Sequence, residues 1–432
     1  MPASFFGETE IRMYDGSVKL LKDICEKDQL MGEDGTARTV QTIAQKSCKL
    51  FKVTYNQYVD EKLFTSAIQC SQDAVLVLVP DGNRISSLVI QTNSQKQFFV
   101  KYVDPILNQD KRVEKVEQKI KTFSAPDEAL TFVQNSIPNF LYEPTVSEFL
   151  KYSQEIQEYF YLIRPLLPVR FTAAQTAIQN STKQIFEQGK EFGLRSMDLP
   201  WFAGLFLSAG SGVGEEFQVS TKDLHKDVNK ELNRIFTCLQ KIYSATLVDT
   251  EGIYLIKLIG DNNILCNFMS EMSLYNKATK QFTKDKLRQN IRLESFSRIR
   301  GPFLAGIMDG SSDYGLADQN YGLECYIRGL PAGQTRSEVA DLSRSCSLAV
   351  VENGENLTLA GGMLFRIPCI NNPPKDIPGL VSLTSYPNEE GQSTLLGMPM
   401  QMKIEDTGKT GDCFDVQCGG KVLLSDYTVI GM

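Results

Sequence analysis

The chain has 432 residues, of which 42% are hydrophobic and 22% charged, with a formal net charge of −7. That much apolar material offsets the entropy of ordering and excludes a disordered chain, and the length favours two or three cores over one. The acidic balance opposes a nucleic-acid partner, because such affinity comes largely from Lys and Arg displacing phosphate counterions.

Up to about residue 105 the chain reads as an all-β block. The segments EIRMY (10–14), LFKVTY (50–55), AVLVLVP (74–80), SSLVIQT (86–92) and QFFVKYV (97–103) are separated by the turn signals YDGS, EDGT and PDGN. From DEALTFVQNSIPNFL (127–141) to IQNSTKQIFEQGKEFGL (178–194) the apolar spacing becomes helical. An internal repeat follows. LPWFAGLFLSAGSG (199–212) precedes a strand at EEFQVS, a long helix from Lys222 to Tyr243 and paired strands at ATLVDT and IYLIKLI. GPFLAGIMDGSSDYG (301–315) precedes a strand at LECYIRG, a helix at SEVADLSRSC and paired strands at SLAVVENG and LTLAGGMLFRI. The same order of elements twice predicts two similar αβ units about a pseudo-twofold axis. Strand patterning returns at the end, in CFDVQCGGKVLLSDYTVIGM (413–432), which predicts a β domain hosting the middle as an insertion.

Other features receive plain structural readings. The basic run KDKLRQNIRLESFSRIR (284–300) reads as the wet face of a helix, and AGSGVGEE (209–216), which has neither dinucleotide nor P-loop spacing, as a loop. Ten cysteines lie far apart with no C-x-x-C pair, so structural zinc is not expected. The N-terminus has no apolar secretory core. A reducing compartment, cytoplasmic or nuclear, with free and largely buried thiols is therefore expected. YLIRPLLPV (161–169) is too short and too interrupted to span a bilayer, so no membrane is expected. The single histidine, His225, reads as a solvated helix residue, and the single tryptophan, Trp201, as a plug at a core edge.

The opening stretch resembles the first block of the hedgehog/intein fold. Ser4, Phe5, Gly7, Thr9, Asp15, Gly16, Lys22, Asp23, Ile24, Gly32, Asp34, Gly35, Thr36, Arg38 and Val40 all fall on that pattern. VLLSDYTVIGM is similar to the final intein block, and FAGLFLSAG and LAGIMDGSS are similar to the paired helices of LAGLIDADG homing endonucleases. The order is that of large fungal vacuolar ATPase inteins and of mating-type switching endonucleases. The resemblance implies a multidomain chain: an all-β hedgehog/intein domain split by an inserted α+β, pseudo-twofold LAGLIDADG-like domain. Residues 1–125 and 376–432 would be the two parts of the β domain and 126–195 a helical connecting region. Residues 196–300 and 301–375 would be the two repeats.

In that family a Ser or Cys attacks the preceding carbonyl, assisted by a strand histidine, and a C-terminal His-Asn pair completes release. Ser4 takes the nucleophile slot here, but the histidine slot falls on Ala74, or on Asp73 in a register shifted by one, and the last two positions are Gly431 and Met432. A further histidine expected near QCGG (417–420) is missing. The nuclease family places one acid at the eighth position of each motif to hold Mg²⁺. Those positions are Ala209 and Ser311. Asp309 and Asp313 lie two residues from the second slot, about 200° around a helix, and Glu215 and Glu216 follow the first motif only after a glycine-rich turn. The small residues that let such helices approach, Gly204, Ala305 and Gly306, are present.

Together these readings imply a catalytically degenerate protein. No catalytic, cofactor or metal residues are expected, Mg²⁺ being the alternative if cleavage is retained. The expected role is that of a structural or protein-interaction component of a larger assembly. The alternatives are a DNA-binding, homing endonuclease-like protein, disfavoured by the negative charge, and a splicing-defective intein.

Overall fold

The computed structural model describes residues 4–59, 62–80, 97–109, 113–136, 140–167, 176–213, 216–220, 224–242, 246–250, 253–257, 264–288, 291–292, 294, 296–311, 324–328, 330–353, 356–360, 364, 367–370, 384–387 and 394–432. The chain divides into two compact units. One comprises residues 1–58, 63–166 and 379–432, and the other 59–62 and 167–378.

The first unit is built around one large antiparallel sheet. Its strands used below are β1 (Ser4–Phe6), β2 (Thr42–Val59), β3 (Lys62–Cys70), β5 (Phe160–Pro165) and β6 (Thr394–Gln417), while β4 (Val75–Leu76) and β7 (Val429–Gly431) belong to a separate three-stranded sheet. β1, β3, β2, β6 and β5 are hydrogen-bonded in that order, and β1 pairs back onto β6, so β1, β3, β2 and β6 form a closed circuit without a free edge at β1. β6 is 24 residues long and changes register between Asp406 and Thr410. The irregularity needs a left-handed residue, and Gly408 supplies it with φ +65, its amide donating to Asp406 Oδ1.

The opening turns form as their sequence predicts. In YDGS, Asp15 Oδ1 accepts from the amide and hydroxyl of Ser17, and Gly16 takes φ 94. In EDGT, Asp34 Oδ1 accepts from the amide and hydroxyl of Thr36, and Gly35 takes φ 73. Each aspartate stabilises a backbone reversal that only glycine enters without strain. The hairpins close over a core that includes Phe5, Leu30, Val53, Tyr55, Leu76, Phe149, Phe160, Leu162 and Ile430. Burying side chains of this size contributes about 1.5–3 kcal/mol each before entropy is charged.

The expected helical connector at 126–195 does contain helices at Pro126–Ser136 and Thr176–Gly189, but β5 runs between them and joins the sheet, pairing with β6 and with Leu78–Pro80. All six β5 residues are buried. A short strand buried on both faces has no polar alternation, so its sequence carries no period to distinguish it. Arg164 interrupts it harmlessly: its Nε donates to the Asp426 carbonyl at 2.9 Å and its terminal nitrogen approaches Asp426 Oδ2 at 3.2 Å. SSLVIQT lies outside the described residues.

The second unit contains two runs with the same order of elements. Helix α1 (Asp198–Ala209) is followed by a strand at Glu216–Ser220, a helix at Lys226–Ile242 and strands at Thr246–Thr250 and Ile253–Lys257. Helix α2 (Gly301–Asp309) is followed by a strand at Glu324–Ile327, a helix at Gln334–Ser345 and strands at Ala349–Asn353 and Asn356–Ala360. In each run the first strand pairs with the last, and the last with the second.

Three local readings are corrected here. Gly210–Val213, within the segment read as a loop, is a strand paired with Glu216–Val219. Gly210 and Gly212 are required there because a Cβ would meet Phe206 and Phe282 at 2.4 and 2.5 Å. The basic run is not a wet helix face: Arg292 and Arg300 are buried, and Arg300 donates to the carbonyls of Ser345 and Leu167 at 2.8 and 2.6 Å. Arg300 serves to satisfy interior carbonyls and Arg292 pairs with Asp341, roles composition cannot distinguish from solvation. His225 is exposed but precedes its helix, where Nδ1 accepts from the Asp227 amide at 3.3 Å and so caps the first turn.

Candidate functional site

Ser4 is fully buried at the start of β1, which lies between β3 and β6. β1 aligns Ser4 with Asp415, and Ser4 Oγ donates to Asp415 Oδ1. The other carboxylate oxygen, Oδ2, is 3.2 Å from Lys46 Nζ. Lys46 also faces Asp73, with Oδ2 at 3.5 Å. Burial acts to lower the Lys46 pKa, but the hydrogen bond and charge of Asp415, with Cys48 and Asp73 adding smaller contributions, outweigh it and hold the ammonium above its ordinary value. The result is a relay of hydroxyl, carboxylate and ammonium.

The backbone of Ser4 is fixed by a turn. Its carbonyl accepts from the Ser71 amide at 2.9 Å. Ser71 Oγ accepts from the Asp73 amide at 3.1 Å, and the Ala74 amide donates to the Ser71 carbonyl at 3.2 Å. Ala74 is fully buried, and its carbonyl accepts from Val146. The next residue, Val75, opens β4, which pairs with β7 so that Gly431 lies opposite Val75. A Cβ on Gly431 would meet Val75 Cγ1 at 2.7 Å, so glycine permits the approach. Met432 exchanges backbone hydrogen bonds with Gly420.

Ser4, Asp73, Ala74, Gly431 and Met432, spread across the whole chain, are thus assembled around residues 71–75. Lys46, Ser71 and Asp415 were not anticipated. A buried strand carboxylate such as Asp415, next to buried Val416, needs a partner.

Residues 4–178 match the family model described as Hom_end-associated Hint. The chain contains an intein-like Hint domain. A solved structure described as the crystal structure of gp41-1 intein is 14% identical, with 28% of this chain and 84% of that chain covered and a TM-score of 0.14. No curated protein sequence matches the chain. The matched Hint segment begins at Ser4 and includes β1 to β5. The sheet that holds Ser4 is completed by β6, from the other end of the chain.

Ala209 and Ser311 lie in the other unit, at the ends of α1 and α2. Both helices are apolar all round and buried over most of their length. They touch at two glycines: a Cβ on Gly204 would sit 1.9 Å from the Phe303 carbonyl oxygen, and one on Gly306 would sit 1.9 Å from that of Trp201. The relation is reciprocal, because Trp201 precedes Gly204 by three residues as Phe303 precedes Gly306. Ala209 ends α1 with no polar side-chain atom, and Ser311 Oγ accepts from the Arg328 amide at 3.1 Å. Asp309, two residues before Ser311, is buried, with Oδ2 accepting from Trp201 Nε1 and from the Ile370 amide, both at 2.9 Å. Asp313 and Glu215 are outside the described residues.

Among the described residues no helix is long and apolar enough to cross a membrane. All ten cysteines are free thiols, and seven of them are buried.

Proposed function

We propose that this chain is an intein-derived protein that retains the Hint scaffold together with a LAGLIDADG-like helix pair and works without splicing or cutting DNA, through association with other proteins in a larger assembly. The carrying observation is the turn at residues 71–75, where a fully buried Ala74 stands beside the Ser4 backbone contact in the imidazole's slot. Ala74 cannot protonate or polarise a peptide. Losing one general acid or base typically costs about 10²–10⁴-fold in rate. The histidine in the chain caps a helix elsewhere. Gly431 and Met432 carry neither an amide side chain nor one that donates a proton.

The helix pair supports the same reading. A hard divalent ion needs carboxylate oxygens. Ala209 offers none, Ser311 has a neutral hydroxyl engaged with Arg328, and Asp309 is occupied by Trp201 and Ile370. These residues do not fit Mg²⁺, and no cleavage step is derived through it. The acidic net charge of −7 further favours a protein partner over DNA.

A second reading is favoured by one observation, the hydrogen bond from Ser4 Oγ to Asp415. It points to a slow acyl shift. Asp415 would take the hydroxyl proton as Ser4 Oγ attacks the Ala3 carbonyl; the peptide C–N bond breaks, an ester forms, and the proton passes to the freed Ser4 amine. Hydroxylamine distinguishes the readings, since it cleaves an ester but spares an amide. With an affinity tag ahead of Met1, the non-catalytic reading expects the chain to remain intact by mass after prolonged treatment. Release of a fragment ending at Ala3 would instead establish the shift. Tight duplex-DNA binding at physiological salt, falling steeply as salt rises, would overturn the protein-association role.

A further inference from the structure

Cys48 and Cys413 share a face of the β2–β6 ladder, Cys48 opposite Gly411 and Cys413 opposite Lys46. An antiparallel ladder has two diagonals, and sheet twist brings one of them closer. Lys46 and Asp415 identify the close one here. Asp415 is two residues beyond the direct partner of Lys46, yet their charged atoms are 3.2 Å apart. Cys413 stands in the same relation to Cys48, being two residues beyond Gly411. Glycine keeps position 411 bare, since a Cβ there would meet Leu50 Cδ1 at 2.8 Å and the Phe6 ring at 3.0 Å. Cys48 Sγ lies 3.9 Å from the Lys46 carbonyl oxygen, and Cys48 is near enough to Cys413 to raise its thiol pKa. Cys48 is half-buried and reachable, whereas Cys413 is buried.

We propose that Cys48 and Cys413 form a thiol–disulfide site oxidised by low-molecular-weight disulfides such as glutathione disulfide. The Cys48 thiolate attacks one sulfur of the oxidant, whose S–S bond breaks. One glutathione leaves as its thiolate and takes up the proton that Cys48 lost. Cys413, giving up its own proton, attacks the Cys48 sulfur of the mixed disulfide, and the second glutathione departs. Two protein thiols are oxidised to one disulfide while one glutathione disulfide is reduced to two thiols. The order follows exposure, with the reachable thiol reacting first.

Burial, with the adjoining Cys48, pushes the Cys413 thiol up to about 12. The reduced state therefore gains nothing from an ionised Cys413, and a poor leaving thiolate makes the bridge slow to reduce once formed. Cys70 is also near Cys413 but fully buried, so an external oxidant reaches it last. The site is independent of the function proposed above, because it requires no chemistry at Ser4.

The test is incubation of the intact chain with glutathione disulfide, followed by alkylation and mass mapping without reductant. The expected product is lighter than the reduced chain by two hydrogens, yields a peptide linking Cys48 to Cys413, and reverts with dithiothreitol. Cys413→Ser should stop at a glutathione adduct on Cys48, and Cys48→Ser should lose the link altogether. Cys418→Ser, which removes the other thiol of the peptide carrying Cys413, should retain it. Circular dichroism of each variant against the parent verifies folding. A glutathione adduct persisting on Cys48 of the parent chain, a bridge to Cys70 instead, or no reaction at all would overturn the proposal.

Discussion

Replacing Gly204 or Gly306 by alanine tests the helix pair most directly. Each new methyl would lie 1.9 Å from a backbone carbonyl oxygen of the facing helix, where ordinary contact begins at 3.4 Å. Neither oxygen can move alone, because it belongs to a helix, so the helices must part by more than an ångström or slide. Overpacking typically costs about 1–3 kcal/mol, and the rigidity of the facing backbone puts these sites at the upper end, while alanine recovers about 1 kcal/mol of helix propensity. The net loss is about 2 kcal/mol for each variant, roughly a thirtyfold shift towards the unfolded state. One separation relieves both clashes, so the double variant should cost less than the two single losses added. Trp201 is the sole tryptophan, is buried, and supplies the carbonyl that Gly306 approaches, so its fluorescence during urea unfolding reports on this interface. An unchanged or raised midpoint in either single variant, or a strictly additive double, would refute the reciprocal packing.

Three further outcomes are expected. Burial lowers the Lys284 pKa to about 8 from 10.5, with the ammonium 5.5 Å from the centroid of the Phe206 ring. A lysine depressed on folding penalises the folded state fully below its folded pKa, and the penalty fades as pH rises towards the unfolded value. Lys284→Met should therefore stabilise at neutral pH by up to about 3 kcal/mol, an advantage over the parent that shrinks between about pH 8 and 10.5 in urea titrations. A constant difference across that range would contradict the assignment. Asp415→Ala leaves the Ser4 hydroxyl without its buried acceptor and Lys46 without its closest counter-ion, so it should cost about 1–3 kcal/mol in the same assay, while Asp415→Asn, which retains an acceptor oxygen, should cost less. Mg²⁺ should leave the thermal midpoint of the parent unchanged but raise that of an Ala209→Asp, Ser311→Asp double variant; a Mg²⁺-dependent rise in the parent would restore a metal site to the helix pair.

The legible parts of this molecule are those whose cause is local. Asp15-Gly16 and Asp34-Gly35 dictate their turns because the aspartate oxygen and the left-handed glycine act within four residues. The repeat was legible because helix and strand periods recur in one order, and the small residues at 204 and 306 announced a close approach. What stayed hidden depends on pairing across hundreds of residues. Asp415 is an ordinary carboxylate until β1 brings Ser4 against it and β2 brings Lys46, and nothing in the spacing of residues 4, 46 and 415 encodes that meeting. β5 was missed for the complementary reason: covered on both faces, it has no alternation to read. The same blindness applied to Arg300, whose charge suggested solvent although its guanidinium holds two interior carbonyls. Resemblance singled out Ser4, Asp73 and Ala74, which the sheet brings together, but it assigned Ser4 no partner because the expected one was an imidazole. The sheet supplies a carboxylate tethered to an ammonium instead. Such a pair can receive a hydroxyl proton more readily than it can donate one to a departing amide nitrogen. Whatever reactivity Ser4 retains should therefore be limited by leaving-group protonation.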